Sequence, residues 1–211
     1  MTILLLFFAK ANPDIVLEER YRDFVSNVRD LAYTVLSDDS TRYGYYWARG
    51  YNSYRINIVK MEDGVLKFSH YYIMKDGTLF KIQYNPLRVN KEVSFLEIEH
   101  LCAYNWIAFP LNCKWVKSGS FSEFEFEKDG IKGSIFVDGE GKLRKVVIKH
   151  PGITYEIIYT NYISLENFKN FPSEWDFVIG DEKKHFKITE VFLNKGMCGP
   201  CTFKVPQESE E

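Results

Sequence analysis

Three runs of alternating apolar and polar residues constrain the fold of this chain more than any other feature. The runs cover residues 54–58, 66–72 and 80–84, and the pairs Asp63-Gly64 and Asp76-Gly77 separate them. Alternation with period two is typical of strands that have one buried face and one face in water. Asp-Gly supplies the positive φ angles that tight hairpin turns require. The sequence therefore predicts an antiparallel meander in this part of the chain.

The same rhythm returns in the second half of the chain. Alternation resumes at 123–127, β-rich runs follow at 131–137, 143–148, 153–162, 175–179 and 185–193, and Asp129-Gly130 and Pro151-Gly152 mark turns. Aromatic residues make up 17% of the chain, which favours strands because aromatic side chains pack well on a pleated surface. Strands and helices do not alternate as a parallel sheet requires. We therefore predict a mainly β (α+β) fold built on a curved antiparallel sheet.

Two segments have helical periodicity instead. In residues 14–36 the apolar residues recur at spacings of three and four, and residues 92–108 place Phe95, Ile98, Cys102 and Trp106 on one helical face. We expect an N-terminal amphipathic helix and a mid-chain helix that together cover the sheet.

The two ends of the chain differ from the region between them. The apolar run at 3–8 precedes Ala9-Lys10-Ala11, a small-x-small pattern that resembles a signal-peptidase site. We interpret residues 1–11 as the remnant of a secretory signal peptide, the alternative being a short buried segment of the mature protein. Residues 12–206 are expected to form a single domain, and the acidic tail 207–211 is expected to be disordered. An exported protein is therefore predicted.

Charge and cysteine content limit the function classes. The formal net charge is -2 and the sequence has no basic stripe, which argues against a nucleic-acid binder. The even number of cysteines is compatible with two disulfides in an exported protein. The disulfide candidates are Cys102, Cys113, Cys198 and Cys201. Pairing within each local couple is the simplest of three connectivities, all of which remain open.

The most specific short motif in the sequence is Cys198-Gly199-Pro200-Cys201, which looks like a thioredoxin redox motif. That motif should follow a strand and open a helix in a βαβ unit, whereas here it follows the last predicted strand. A small disulfide clip is therefore favoured, with metal binding and redox catalysis as alternatives. The four histidines are dispersed and no nucleophile or phosphate-loop motif occurs, so we predict no catalytic residues, no metal and no cofactor.

Four features follow one another between about residues 14 and 194. They are the amphipathic helix after the leader, the segment Gly44-Tyr45-Tyr46-Trp47-Ala48-Arg49-Gly50 with Tyr54-Arg55-Ile56, the hairpin at 72–80 before a helical insert, and the closing segment 159–172. In this order and spacing they resemble the LolA/LolB-type lipoprotein carriers and their relatives. The resemblance implies a half-open β-barrel with helical lids, whose concave apolar side accommodates acyl chains.

The resemblance also implies a role for Arg49. Carriers of this type keep an Arg at the end of the first strand, usually before a Pro, and it latches a lid helix by bonding the backbone carbonyls of that helix. Arg49 stands at the matching position, but Gly50 replaces the Pro. The alternative is a solvated Arg at a strand end.

Eight apolar residues are candidates for the hydrophobic, ligand-binding side of the sheet. They are Ile56, Ile58, Leu66, Phe68, Phe80, Ile82, Phe124 and Phe126. Alternation alone does not distinguish a pocket from ordinary core packing against the helices, which is the alternative.

Three functions follow from these features. The first is a non-catalytic, monomeric periplasmic carrier or binder of lipid or lipoprotein acyl chains, with a membrane-anchored donor or acceptor protein as partner. The second is an envelope interaction, assembly or stress-sensing protein with a filled core on the same scaffold. The third is a thiol oxidoreductase that uses the Cys198–Cys201 motif.

Overall fold

The computed structural model describes residues 27–49, 53–91, 93–94, 96–103, 114–118, 120–128, 131–166 and 168–206. Its strands are β1 (Asp30–Ser37), β2 (Arg42–Ala48), β3 (Ser53–Glu62), β4 (Val65–Lys75), β5 (Thr78–Gln83), β6 (Arg88–Asn90), β7 (Lys114–Ser118), β8 (Ser122–Lys128), β9 (Ile131–Val137), β10 (Leu143–His150), β11 (Ile153–Leu165), β12 (Phe168–Ile179) and β13 (Glu182–Leu193). The helix α1 (Ile98–Ala103) lies between β6 and β7, and a 3-10 helix (Pro200–Phe203) follows β13.

The strands of these described residues form one antiparallel sheet of two meanders. The order is β6-β5-β4-β3-β2-β1-β13-β12-β11-β10-β9-β8-β7. Neighbours along the chain are neighbours in the sheet within each meander, and β1 joins the two because it pairs with both β2 and β13. The predicted mainly β, antiparallel and open curved sheet is thereby confirmed.

Two of the predicted Asp-Gly hairpins are also present. Asp63 and Gly64 have φ angles of 52° and 75°, and Asp76 and Gly77 have φ angles of 50° and 79°. Two successive residues with positive φ give the turn whose twist matches that of the flanking strands. These turns connect β3 to β4 and β4 to β5. Asp129-Gly130 lies outside the described residues.

The main core covers one face of the sheet, which we call the inner face because α1 packs against it. The buried cluster on this face draws side chains from both meanders, and Leu101, Cys102 and Ala103 of α1 belong to it. A smaller cluster of Tyr71, Ile73 and Ile82 lies on the opposite, outer face.

The expected N-terminal helix is not confirmed. Residues 30–36, its predicted C-terminal part, belong to β1, and residues 14–26 lie outside the described residues. Leu31 and Val35 satisfy both the helical spacing and a period of two, whereas Tyr33 between them satisfies only the period of two. All three side chains are buried in the core on the inner face. Pairing on both sides, with β2 and with β13, decides between the two patterns in favour of the strand.

The mid-chain helix is present in part of its predicted range. The structure has helix at Ile98–Ala103, whereas Glu92, Phe95 and residues 104–113 lie outside the described residues. The predicted buried face is partly wrong, since Ile98 is exposed and His100 and Leu101 are fully buried. Among the described residues, no helix has the length and apolar character needed to cross a membrane.

Candidate functional site

The C-terminal end of α1 is held to the inner face by two side-chain donors. The Tyr33 hydroxyl donates to the carbonyl oxygen of Ala103 over 2.7 Å, and Nε1 of Trp175 donates to the carbonyl oxygen of Cys102 over 3.1 Å. Tyr33 comes from β1 and Trp175 from β12, and α1 therefore spans the junction of the two meanders.

Glu99, in the first turn of α1, forms an ion pair and a hydrogen bond with the sheet. Its carboxylate lies 2.7 Å from Nζ of Lys60 and 2.9 Å from Nε2 of His70. Burial works to raise the pKa of Glu99, but the bonds with His70 and Lys60 outweigh burial and lower the pKa to about 2. Glu99 is therefore ionised at neutral pH, and it anchors α1 electrostatically.

Glu97, just before α1, makes a second charged contact. Its carboxylate lies 2.8 Å from Nζ of Lys81 and accepts a hydrogen bond from the Tyr72 hydroxyl. Burial, together with that bond to Glu97, raises the pKa of Tyr72, so the hydroxyl stays protonated and acts as a donor. Lys81 also stands over the Tyr72 ring, 5.4 Å from its centroid.

His100 adds a further polar contact between α1 and the sheet, and its side chain is fully buried. Its Nε2 lies 2.6 Å from the Tyr54 hydroxyl, and its ring meets the Tyr72 ring edge-on at 5.8 Å. The underside of α1 is therefore bonded to the sheet through polar atoms along its whole length, while Leu101, Cys102 and Ala103 pack into the core.

Around and beneath α1 the inner face is apolar and aromatic. Ile56, Ile58, Phe124 and Phe126, four of the predicted ligand-binding residues, are buried on this face. Three neighbouring strands also contribute a row of tyrosines: the rings of Tyr33 and Tyr45 stack at 4.8 Å, and those of Tyr45 and Tyr54 stack at 5.8 Å.

The other four predicted residues do not face inward, which corrects the prediction. Leu66, Phe68, Phe80 and Ile82 lie on the outer face. Ile58 pairs with His70 but Val59 pairs with Phe68, so β4 has one extra residue at this point. A bulge of this kind reverses which residues face the core from there to the end of the strand.

In β5, Leu79 and Lys81 face inward, and Phe80 and Ile82 face outward. Tyr71 pairs with Ile82 and Tyr72 pairs with Lys81, so Ile82 shares the outer face with Tyr71 while Lys81 faces inward. Val205, near the C-terminus, packs against this outer cluster. Whether any of the eight predicted residues contacts a ligand stays a prediction.

Sequence reasoning missed the donors that hold α1. The helical periodicity of residues 14–36 places Tyr33 in a helix. The strand predicted at 175–179 gives no hydrogen-bond acceptor for the Trp175 N–H. The signal was present, because buried Tyr and Trp side chains normally find an acceptor for their O–H and N–H groups. Arg49, the predicted latch, is exposed, and its backbone N–H donates to the carbonyl oxygen of Arg29 over 2.8 Å. Its latch role stays a prediction.

The described cysteines are free thiols. Cys102 is a buried residue of α1, and burial raises its pKa. Burial and the nearby Asp30 raise the pKa of Cys198 to about 11, the opposite direction from that which a redox-active thiol needs. Cys113 lies outside the described residues. Because the other three candidates are free thiols, none of the predicted disulfides is found among the described residues, which corrects that prediction. No group of His, Cys, Asp and Glu suited to a metal ion occurs in the part of the chain that the structure describes.

Two solved structures share this architecture. An outer membrane lipoprotein-sorting protein domain from Vibrio parahaemolyticus aligns with a TM-score of 0.63 at 10% identity, over 90% of this chain and 95% of that one. A LolA superfamily protein from Nitrosomonas europaea aligns with a TM-score of 0.58 at 10% identity, over 90% and 97% of the respective chains. No protein-family model and no curated protein sequence matches. At this identity the likeness establishes the fold, which is LolA-like.

Proposed function

We propose that this chain, whose fold is LolA-like, is a non-catalytic carrier or binder of lipid or lipoprotein acyl chains. The observation that carries the proposal is the way in which α1 lies across the inner face. The helix is anchored through hydrogen bonds and ion pairs whose groups water can satisfy, while the buried cluster against which it packs is apolar and aromatic. Movement of α1 would therefore expose an apolar floor without leaving its own anchoring groups unsatisfied.

The apolar floor supplies the affinity in this mechanism. Burying one methylene contributes about 0.8 kcal/mol, so roughly ten methylenes contribute about 8 kcal/mol before the costs of association. Part of this free energy is used to displace α1. The cargo is then exchanged passively, because a competing apolar site on a partner recovers the same free energy.

The export and partners of the protein belong to the same proposal. A carrier of this kind works as a monomer in the periplasm and passes its cargo between a membrane-anchored donor and a membrane-anchored acceptor. The leader pattern at 1–11 supports export. The proposed domain is 12–206, with the acidic tail 207–211 outside it.

The proposal is tested by two substitutions that match in chemistry and burial. Ile56 on the inner face and Ile82 on the outer face are both fully buried. Ile56→Thr and Ile82→Thr should each lower the free energy of unfolding by about 1–3 kcal/mol, because both bury a hydroxyl. Only Ile56→Thr should weaken binding of a fluorescent fatty acid, by several-fold.

Native mass spectrometry of protein purified from its own envelope fraction provides the second readout. The unmodified protein should carry a lipid mass, and Ile56→Thr should carry less of it. Repeated purification without any lipid mass, together with no fatty-acid binding in solution, would contradict the carrier function.

A second candidate function is supported by the large aromatic side chains that already fill the inner face. Tyr43, Tyr45, Tyr72, Phe124 and Phe186 are all large and almost completely buried there. Such a floor suits an envelope interaction, assembly or stress-sensing protein that keeps α1 in place permanently. This candidate predicts protein partners and no acyl-chain binding, which the same titration distinguishes.

A further inference from the structure

The cations and the anions that hold α1 lie on different elements. The cations lie on the sheet, and the anions lie on residues 97–103, which we call the helix segment. Lys60 of β3 and Lys81 of β5 lie on the sheet, with His70 of β4 between them. Both acids, Glu97 and Glu99, belong to α1 or to the residue just before it. The sheet thus carries the cations and donors, and the helix segment carries the anions.

Each carboxylate is held by one lysine and one further polar side chain of the sheet. Glu99 is bonded to Lys60 at 2.7 Å and to His70 at 2.9 Å, and Glu97 is bonded to Lys81 at 2.8 Å and to the Tyr72 hydroxyl. The Nε2 atom of His70 lies 3.3 Å from the Tyr72 hydroxyl, which connects the two halves into one continuous cluster.

This cluster adjoins the apolar floor. His70 is the strand partner of Ile58, and Tyr72 is the strand partner of Ile56. When α1 moves away, two lysines, a histidine and a tyrosine hydroxyl remain at the end of an apolar surface without their carboxylates. A partly buried cation without a counter-charge is unfavourable, so this surface favours an anion next to an apolar chain.

We propose that Lys60, His70, Tyr72 and Lys81 bind the anionic headgroup, carboxylate or phosphate, of an amphiphile whose chain lies on the inner face. This inference rests on the proposed carrier function and specifies the class of ligand. Glu97 and Glu99 are the internal occupants that the headgroup replaces. A lysine and a hydroxyl beside a second lysine and an imidazole suit an oxyanion with several acceptor atoms.

Chain-matched amphiphiles test the inference on the unmodified protein. Palmitate and hexadecyl phosphate should each bind at least about tenfold more tightly than neutral monopalmitoylglycerol, as expected for charge-assisted hydrogen bonds. The preference should shrink with added salt because the lysines are partly exposed. Inorganic phosphate alone should not compete at micromolar concentration, since it has no chain.

Substitutions separate headgroup binding from simple docking of α1. Lys60→Met and Lys81→Met should each lower the ratio of the affinity for the anionic amphiphiles to the affinity for the neutral one. The double variant should lower this ratio by about tenfold. Glu97→Gln and Glu99→Gln loosen α1 for every ligand, so they should raise both affinities and leave the ratio unchanged. If the lysines only dock α1, all four variants will raise both affinities equally.

Lys145→Met is the matched control. Lys145 of β10 forms a 2.7 Å ion pair with Glu156 of β11. The exposed fraction of its side chain is close to the mean of those of Lys60 and Lys81. This variant should leave the ratio unchanged, and circular dichroism should show that all variants are folded.

The possible outcomes distinguish the inference from the function on which it rests. Equal affinity for the three amphiphiles, or a preference that survives both lysine substitutions, overturns the headgroup site but leaves acyl-chain binding intact. Tight binding of inorganic phosphate alone also overturns it, because the site then holds a free anion. No binding of any amphiphile overturns both proposals.

Discussion

Gly133 pairs with Phe126 of β8 and with Ile148 of β10, and both neighbouring strands approach it closely. A Cβ atom at this position would lie inside van der Waals contact with the Val147 carbonyl oxygen and with the Phe126 ring. Backbone oxygen cannot move aside as the end of a flexible side chain can. The absence of a side chain at Gly133 therefore allows the Phe126 ring to cover this part of the inner face.

We expect Gly133→Ala to lower the free energy of unfolding by about 1–3 kcal/mol, because the new methyl group overpacks the inner face. Gly139→Ala is the control, since nothing lies within 4 Å of a Cβ atom there. Its effect should stay within about 0.5 kcal/mol. Urea denaturation measures both, and equal effects at the two glycines would contradict the packing described.

Individual residues also show how far the sequence predicts the candidate site. Ile56, Ile58, Phe124 and Phe126 face inward as predicted, because alternation within one strand is reliable. The prediction failed at Leu66 and Phe68 because the Asp63-Gly64 hairpin pairs them with the outward-facing Met61 and Val59. It failed at Phe80 and Ile82 because the extra residue in β4 lies between Phe68 and His70 and reverses the faces from there on. A bulge leaves no clear pattern in a single sequence, so the inward-facing Lys81 could not be recognised as part of the site.

At the level of the element, two side-chain donors of the sheet bind carbonyl groups of α1. Tyr33→Phe and Trp175→Phe each remove one donor to its terminal carbonyls and keep an aromatic ring in place. One hydrogen bond contributes about 1 kcal/mol, so the population of the open state should rise about fivefold in each variant. Hydrogen exchange of the α1 amides at constant pH measures this change.

Tyr162→Phe is the control for the α1 variants. The Tyr162 hydroxyl also donates to a backbone carbonyl, that of Leu143 at 2.6 Å, but this bond lies away from α1. The variant should lose global stability while the exchange of the α1 amides relative to the sheet stays unchanged. Similar exchange in all three variants would show that Tyr33 and Trp175 do not hold α1 specifically.

The docking of α1 should also weaken in acid. The pKa of Glu99 falls from an ordinary value of 4.5 to about 2 in the folded protein. A lowered carboxyl pKa stabilises the fold above the ordinary value, and that stabilisation is lost as the pH falls from about 4.5 through about 2. The protein should therefore exceed Glu99→Gln in stability at pH 7, and the difference should diminish over this acid range. A difference that is independent of pH would contradict the assignment.

Elements of mixed periodicity explain what the sequence could not predict at this scale. Residues 30–36 satisfy both a helical and a strand pattern, and the sheet partners β2 and β13 decide the outcome. β13 is more than 140 residues away along the chain, so this pairing is invisible to a local pattern. By contrast, the β3–β4 and β4–β5 hairpins were predictable because Asp-Gly fixes them locally.

At the scale of the whole molecule, one apolar face serves two occupants in this account. The sheet brings both meanders to that face, and α1 covers their junction through Tyr33 and Trp175. An acyl chain would replace the helix on the same surface. If so, the acyl chain must lie on the inner face, and the outer residues Leu66, Phe68 and Phe80 must not contact it.

Photo-crosslinking with a palmitate analogue that carries a diazirine in its chain tests this claim most directly. After irradiation of the bound protein, peptide mass spectrometry locates the adducts. Adducts are expected on the inner-facing residues of β3, β8 and β9, such as Ile56, Ile58 and Phe124, and excess unlabelled palmitate should suppress them. Adducts concentrated on Leu66, Phe68 or Phe80, or adducts that unlabelled palmitate does not suppress, would contradict it.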